Sequence, residues 1–129
     1  MEKKLIQIIA IIIVALLVVG GLLYFLWTLE NQKSEKLKPF AMCLADSGVK
    51  FYGAFWCSHC QAQKALFGSA AKYLPYIECS TPDSNGQLSV CQDKNIETYP
   101  TWIFADGSIQ KGEMSLQQLA DKSGCALPQ

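Results

Sequence analysis

The sequence contains no arginine and a single histidine, so its basic charge rests on lysine alone. Residues 40–129 hold six lysines and eight acidic residues, which gives this part of the chain a formal charge of −2. Such a composition offers no basic patch and argues against nucleic acid as a partner. The length of 129 residues allows one domain at most, once any membrane segment is set aside.

Charge is also missing from residues 5–27, which read LIQIIAIIIVALLVVGGLLYFLW and are interrupted only by Gln7. A helix needs about 20 apolar residues to span the hydrocarbon core of a bilayer. Tyr24 and Trp27 lie at one end of the run, and such amphipathic rings favour the headgroup region. The run therefore predicts one N-terminal transmembrane helix. A buried soluble helix is the weaker alternative, because the run is apolar on all faces.

The segment that follows lacks the marks of a cleaved leader. Residues 28–38 contain no A-x-A cleavage pattern, and the first cysteine, Cys43, comes too late for a lipoprotein. We therefore expect a retained signal anchor over residues 1–28, a polar linker or helical extension over 29–39, and a domain over 40–129.

The orientation of this anchor follows from the cysteines rather than from the lysines. Lysines flank both ends of the apolar run, so the positive-inside rule leaves the orientation open. All six cysteines follow the run, and an even set in a small domain is typical of an oxidising compartment. We expect a single-pass protein of the cell membrane with a cytoplasmic N-terminus and an extracytoplasmic domain.

The domain is predicted to alternate helices and strands. After a first short helix, the β-branched and aromatic residues 49–55 predict a buried strand, and residues 56–74 favour a helix. The full order is helix, strand, helix, strand, helix, strand, strand, helix, in which strand–helix–strand is a right-handed βαβ unit. Asp106-Gly107 predicts a hairpin turn, and a capping box over 115–118 predicts the start of the last helix.

Cys57 and Cys60 form a C-x-x-C pair directly after the predicted strand and at the start of a predicted helix. Unpaired N–H groups and the positive end of the helix dipole stabilise a thiolate there. Cys57 is therefore the predicted nucleophile and Cys60 the resolving thiol. A charged or N–H-donating His59 beside the sulfur would favour the thiolate and make the pair a stronger oxidant. The alternative is that His59 is merely an exposed helix residue.

Two other interpretations of the C-x-x-C pair remain open, namely half of a zinc site and a purely structural cross-link. A structural zinc site needs four ligands, commonly from two such pairs or from a histidine pair. Eleven residues separate Cys79 from Cys91, so a second C-x-x-C is missing. We expect neither a metal nor another cofactor.

A second feature favours redox chemistry. Thr98, Tyr99 and Pro100 immediately precede a predicted strand, where proline can begin a strand but not fill its middle. X-Pro bonds are the usual place for cis peptides, with an ordinary trans proline as the alternative. Trp56 directly precedes the nucleophile where the strand ends, so we expect it at the rim of the site rather than in the core.

Taken together, the strand, the W-C-x-x-C motif at a helix start and the later Tyr-Pro-Thr resemble thioredoxin-fold proteins. The segments FYGAFWCSHCQAQKALFG, PYIECS and YPTWIF, together with Cys91, resemble a narrower group. This group is the thioredoxin-like domain that is fused to, or works beside, bacterial homologues of vitamin K epoxide reductase. The resemblance implies an α/β thioredoxin-like fold, with a βαβ unit plus a β-hairpin and a C-terminal helix, preceded here by the transmembrane helix.

The resemblance also implies roles for the site residues. Cys57 and Cys60 would be the redox pair, and Pro100 would be a cis-proline facing Cys57. Thr98 and Tyr99 would offer their backbone to an extended substrate strand.

The chain departs from the family pattern in two ways. Ser58 stands where the usual member of the narrower group carries proline, which removes a rigid element at the helix start. Thioredoxins proper carry a buried acid in the strand before the motif, whereas residues 49–55 contain none. The missing acid favours an oxidant or an isomerase over a reductase.

The other four cysteines are expected to be structural. The resemblance implies a second pair at Cys79 and Cys91, which flank a polar loop. A disulfide there would contribute about 3 kcal/mol in the loop-entropy model, or would relay electrons to the C-x-x-C pair. Cys43 and Cys125 lie in the first and last predicted helices and are a candidate pair that would tie the two termini together. Six cysteines allow many connectivities, so the sequence leaves the pairing open.

The expected function is that of an exported thiol oxidant. It would take electrons from client dithiols and pass them to a membrane partner that resembles vitamin K epoxide reductase. One alternative is a disulfide reductase or isomerase fed by a membrane electron donor. Another is a non-catalytic, cysteine-rich binding or metal-handling module.

Overall fold

The computed structural model describes residues 2–128. These residues fall into two compact units that meet in the sequence between Lys33 and Ser34, and each unit is described by itself.

The first unit is the greater part of helix α1, Glu2–Lys36. The large apolar side chains from Leu5 to Leu26 are exposed in the chain alone. By length and composition, this helix could cross a membrane. The polar segment expected as a linker or helical extension continues α1 as far as Lys36, because its lysine, glutamate, glutamine and leucine residues all favour helix.

The second unit contains four further helices and four strands. In chain order they are α2 Lys38–Asp46, β1 Lys50–Gly53, α3 Ser58–Ala65, β2 Tyr76–Glu78, α4 Ser89–Gln92, β3 Thr101–Ile103, β4 Ile109–Lys111 and α5 Leu116–Ser123.

The four strands form one mixed sheet in the order β2-β1-β3-β4. Strand β1 pairs in parallel with β2 and antiparallel with β3, and β3 pairs antiparallel with β4. The parallel pair with α3 between its strands is the predicted βαβ unit. The antiparallel pair β3–β4 is the predicted hairpin, in which Gly107 adopts a φ of 81° at the turn.

The helix predicted over residues 56–74 is shorter than expected. Helix α3 ends at Ala65, and a 3₁₀ segment, Gly68–Tyr73, follows it. Gly68 has a φ of 52°, a left-handed conformation that interrupts a regular helix and favours glycine. A Cβ added at Gly68 would also overlap the hydroxyl of Ser34. The break is therefore fixed by a close contact that the sequence pattern did not reveal.

The core lies between the sheet and the helices. Phe51 of β1 stacks on Trp102 of β3 with ring centroids 4.4 Å apart, and Phe40 of α2 stacks on Phe67 at 5.9 Å. A smaller buried cluster lies on the other side of β1. Its buried members are Tyr52, Cys79, Cys91 and Ile96.

Two disulfides close the domain. Cys43 of α2 is bonded to Cys125, which lies just beyond α5 after the left-handed cap residue Gly124. Cys79, directly after β2, is bonded to Cys91 of α4. The first bond ties together the two ends of the domain, and the second closes the polar loop beside the sheet.

Candidate active site

The C-x-x-C pair is placed by the junction of β1 and α3. Strand β1 ends at Gly53, and Cys57 is the N-cap of α3, with its N–H donating to the Ala54 carbonyl at 3.0 Å. The Cys57 sulfur accepts a hydrogen bond from the Cys60 N–H at 3.4 Å. The Cys60 N–H and the positive end of the helix dipole thus lie at the sulfur, an arrangement that stabilises a thiolate.

The two thiols differ in access. Both are free in this structure, which therefore represents the reduced pair. Cys57 keeps 8% of its surface exposed, whereas Cys60 keeps 1%. The pKa of the Cys60 thiol is raised to about 12, chiefly by burial and in addition by the hydrogen bond with Cys57. The accessible Cys57 is therefore suited to attack a client and the buried Cys60 to act within the chain.

Gly53 borders the pair from the end of β1. A Cβ added there would lie 2.9 Å from the Cys60 sulfur and 2.8 Å from Cε2 of Tyr76. Real Cβ atoms do not approach so closely, so an alanine here would force the Cys60 or Tyr76 side chain to shift. The sequence contained Gly53 inside a strand pattern, which is a known mark of close backbone approach.

A charged cluster surrounds Tyr76, whose ring borders Gly53. Glu78 of β2 accepts hydrogen bonds from the Tyr76 hydroxyl at 2.7 Å and from the Ser80 N–H at 2.9 Å. The Lys64 ammonium lies 3.2 Å from the centroid of the Tyr76 ring. Burial raises the pKa of Tyr76, as does its bond to Glu78, and burial lowers the pKa of Lys64 against the opposing charge of Glu78.

The sequence pattern does not predict this cluster. Strand β1 does lack an acid, as the sequence indicated. The acid comes instead from the last residue of the neighbouring strand, and Glu78 also accepts from the Phe55 N–H at 3.2 Å. A signal was present, since Glu78 ends a strand that was expected to lie parallel to the one before the motif.

A proline loop faces the nucleophile. The Tyr99-Pro100 peptide bond is cis, and the Cys57 thiol donates to the Tyr99 carbonyl at 3.6 Å. The loop is held on both sides, because the Thr101 hydroxyl donates to the Thr98 carbonyl at 2.7 Å and Pro100 accepts from Gly112 N–H at 2.8 Å. The structure therefore places the Tyr99 carbonyl against the Cys57 thiol. The roles of Thr98, Tyr99 and Pro100 towards a substrate stay predictions.

Trp56 lies at the rim of the site. Its side chain is 51% exposed, and its indole N–H donates to the Ser80 hydroxyl at 2.8 Å. Its ring meets Tyr99 edge-on with centroids 6.1 Å apart. The Tyr99 hydroxyl in turn accepts from the Gln87 amide at 2.6 Å. Ser80 and Gln87 both belong to the loop that the Cys79–Cys91 bond closes, so this loop supports two aromatic side chains beside Cys57.

His59 points to a different partner from the one expected. Its side chain is 70% exposed, and Nδ1 lies 2.5 Å from Oε1 of Glu113. Within residues 2–128 the structure shows no hydrogen bond between His59 and Cys57. The predicted influence of His59 on the thiolate remains a prediction.

Comparison with known proteins places this geometry in a family. Residues 40–122 match the thioredoxin family. The chain belongs to the thioredoxin family. Over 109 residues, 78% of this chain, it is 45% identical to "Thiol-disulfide oxidoreductase LTO1" of Arabidopsis thaliana, of which it covers 28%. Over 68 residues, 49% of this chain, it is 40% identical to "Thioredoxin domain-containing protein 5 homolog" of Drosophila melanogaster, of which it covers 16%.

The predicted thioredoxin-like α/β fold is confirmed by the family match and by the sheet topology. The chain spans less than a third of the length of these curated relatives. The narrower resemblance to the domain associated with vitamin K epoxide reductase homologues stays a prediction. Within residues 2–128, no group of three or more His, Cys, Asp or Glu side chains is arranged to hold a metal ion.

Proposed function

We propose that the chain is a membrane-anchored, extracytoplasmic thiol–disulfide oxidoreductase that oxidises client dithiols through a Cys57–Cys60 disulfide. The observation that carries the proposal is the position of the Cys57 sulfur. It accepts the Cys60 N–H at the start of α3 and meets the Tyr99 carbonyl beside cis-Pro100. The printed name of the Arabidopsis relative, a thiol-disulfide oxidoreductase, supports the same chemistry.

The oxidised pair would react by two successive exchanges. A client thiolate attacks Cys57, forming a mixed disulfide, and the Cys57–Cys60 bond breaks with Cys60 leaving. The second client thiol, as its thiolate, attacks the client sulfur of the mixed disulfide and releases Cys57. The client loses two electrons and two protons and gains a disulfide, while the pair is reduced to two thiols.

Burial of Cys60 determines how its sulfur leaves when the Cys57–Cys60 disulfide breaks. Its pKa of about 12 means that the leaving sulfur takes up a proton at neutral pH. A buried anion would be costly without a charged or hydrogen-bonded partner. Lys64 lies on the same helix four residues further on, and its charge favours the Cys60 anion. Lys64 is therefore suited to stabilise the departing sulfur until the proton arrives.

The client strand would bind at the Thr98-Tyr99-Pro100 loop. Backbone hydrogen bonds to an extended peptide are a common mode of recognition at an exposed backbone edge. Trp56 supplies an exposed aromatic surface next to Cys57 for apolar client residues. These assignments leave client recognition dependent on backbone and shape rather than on charge.

Reoxidation would require a membrane partner. We propose a protein that resembles vitamin K epoxide reductase, on the strength of the residues in the C-x-x-C and Tyr-Pro-Thr segments. Helix α1 would hold the domain in the same membrane and raise its effective concentration near such a partner. Membrane fractions that keep the chain after alkaline carbonate washing would support the anchor, and release into the supernatant would contradict it.

The test of the activity is oxidation of a reduced client protein by the full chain in detergent. Wild type should introduce disulfides, and Cys57→Ser should abolish the reaction. Equal rates would refute the proposal. A Cys60→Ala variant should accumulate mixed disulfides on Cys57, because the thiol that reverses them is gone, and mass spectrometry of these adducts would identify clients and partner.

One observation favours a reductase or isomerase as the second candidate. The charge of Lys64 acts on the buried Cys60, and Glu78 is bonded to the neighbouring Tyr76. A buried thiol must lose its proton before it can resolve a mixed disulfide. The reduction potential separates the two directions. A value near about −270 mV would indicate a reductase, and one near about −120 to −180 mV an oxidant or isomerase.

A further inference from the structure

The segment between β4 and α5 lies beside the Pro100 loop of the site. It contains Gly112, Glu113 and Met114, none of which takes part in the proposed thiol–disulfide exchange. At one end, the Gly112 N–H donates to the carbonyl of Pro100 at 2.8 Å. The segment is thus joined to the loop that faces Cys57.

Gln63 of α3 fixes the other end. Its side chain is fully buried, accepts from the Met114 N–H at 2.7 Å and donates to the Met114 carbonyl at 2.9 Å. Both backbone groups of one residue are therefore bound by one side chain. Glu113 lies between these two fixed points, so its backbone has a defined position relative to α3.

Glu113 contacts His59 of α3. His59 precedes Gln63 by four residues, which places both side chains on the same face of α3. Oε1 of Glu113 lies 2.5 Å from Nδ1 of His59. The imidazole is therefore oriented by a group outside the C-x-x-C motif and is engaged away from the Cys57 sulfur.

We propose that Glu113 is a positioning residue that acts through His59 to limit the oxidising strength of the Cys57–Cys60 pair. This inference rests on the proposed function. A positive charge near Cys57 stabilises the reduced form and makes the pair more oxidising. The Glu113 carboxylate holds the ring at the segment, so that the imidazole is not free to turn towards the Cys57 sulfur. Both side chains are partly exposed, at 70% and 41%, so the effect is modest rather than dominant.

The test is a redox equilibrium of the full chain in detergent with reduced and oxidised glutathione. Glu113→Gln keeps the shape of the side chain and removes its charge. We expect the equilibrium constant for oxidation of glutathione to rise about threefold to tenfold, which is roughly 15 to 30 mV for two electrons. Alkylation of Cys57 by iodoacetamide at fixed pH should accelerate in parallel, because more of the thiol is ionised.

Two control variants make the result specific. Glu97→Gln removes a carboxylate that pairs with Lys111 at 3.2 Å, and it should leave the constant unchanged. In a His59→Ala background, Glu113→Gln should have no further effect, because the residue through which it acts is gone. A merely structural role would change thermal stability without this dependence on His59.

The outcomes separate the inference from the proposed function. The inference is wrong if the glutathione equilibrium constant of Glu113→Gln equals or falls below the wild-type value. It is also wrong if Glu113→Gln shifts this constant by the same factor in the His59→Ala background. If the wild-type pair does not exchange with glutathione at all, the proposed oxidoreductase function fails and the inference fails with it.

Discussion

The Cys60 sulfur lies against the backbone of Gly53, so closely that a Cβ at Gly53 would come within 2.9 Å of it. The same Cβ would meet the Tyr76 ring at 2.8 Å. Strand β1 and helix α3 thus approach each other at the redox pair itself. The reactivity of Cys60 depends on this contact as well as on the C-x-x-C spacing.

Gly53→Ala is therefore expected to be costly. The added methyl group must displace Cys60 or Tyr76, and overpacking of this kind destabilises by about 1 to 3 kcal/mol. The free energy of unfolding from urea denaturation should fall by that amount, and closure of the Cys57–Cys60 disulfide should slow. The matched control is Gly86→Ala in an exposed loop, where the methyl group would meet only the Thr81 side chain, at 3.3 Å. Equal effects at both positions would contradict the contact.

The high pKa of Cys60 predicts a pH dependence for its attack on a mixed disulfide. Burial is the largest cause of the raised pKa and persists when Cys57 carries a client, so Cys60 is a thiol in the neutral range and its thiolate fraction rises with pH. Release of a Cys57-linked client peptide by Cys60 should accelerate by about tenfold per pH unit from roughly pH 6 to 9. Single-turnover release, followed by chromatography of the peptide, measures this rate. A rate that is flat over the range would show that Cys60 is already ionised.

Glu78→Gln tests whether the acid bonded to Tyr76 contributes to that release. The amide keeps much of the hydrogen-bonding shape but cannot take up a proton, and general base assistance is typically worth at least about a hundredfold when it is direct. The path from Glu78 is indirect, so we expect a loss of roughly tenfold at neutral pH, narrowing as pH rises. Asp93→Asn, on an exposed residue after α4, is the control and should behave as wild type.

The sequence predicted those parts of the site that are each formed by a few consecutive residues. The C-x-x-C pair at a helix start, the strand before it and the Tyr99-Pro100 element are local patterns, and the structure brings them together. Periodicity and composition carry such information because each element is formed by neighbouring residues.

The parts that were missed depend on contacts between distant segments. Glu78 reaches the site from the next strand, and Glu113 reaches His59 from 54 residues further along the chain. The early end of α3 depends on Gly68 packing against Ser34. None of these contacts leaves a regular spacing in the sequence, so only the folded chain reveals them.

Ser80→Ala is expected to weaken client binding without changing the redox pair. The mutation removes the hydroxyl that holds the Trp56 indole N–H at 2.8 Å. One net hydrogen bond is worth about 1 kcal/mol, so KM for a peptide client should rise roughly fivefold. The glutathione equilibrium constant should stay at the wild-type value. Ser69→Ala, an exposed serine that donates to Glu35 at 3.4 Å, is the control. A change in the equilibrium constant would show that Ser80 acts on the sulfur chemistry instead.

The two disulfides are expected to stabilise the domain unequally. Cys43 and Cys125 are 82 residues apart in the sequence, whereas Cys79 and Cys91 are 12 apart. In the loop-entropy model, the longer loop gives about 4.5 kcal/mol and the shorter one about 3 kcal/mol. Replacing both members of each pair by serine should therefore lower the free energy of unfolding more for the Cys43–Cys125 pair.

The same two double variants separate stability from activity. The loop closed by Cys79 and Cys91 supports Trp56 and Tyr99, so its loss should raise KM for a client peptide at a temperature where the domain is still folded. The Cys43–Cys125 bond lies at the domain ends, so its loss should leave KM unchanged under the same conditions. Urea denaturation and client kinetics on the full chain in detergent measure both quantities. A larger loss of stability for the Cys79–Cys91 pair would show that chain entropy does not govern these bonds.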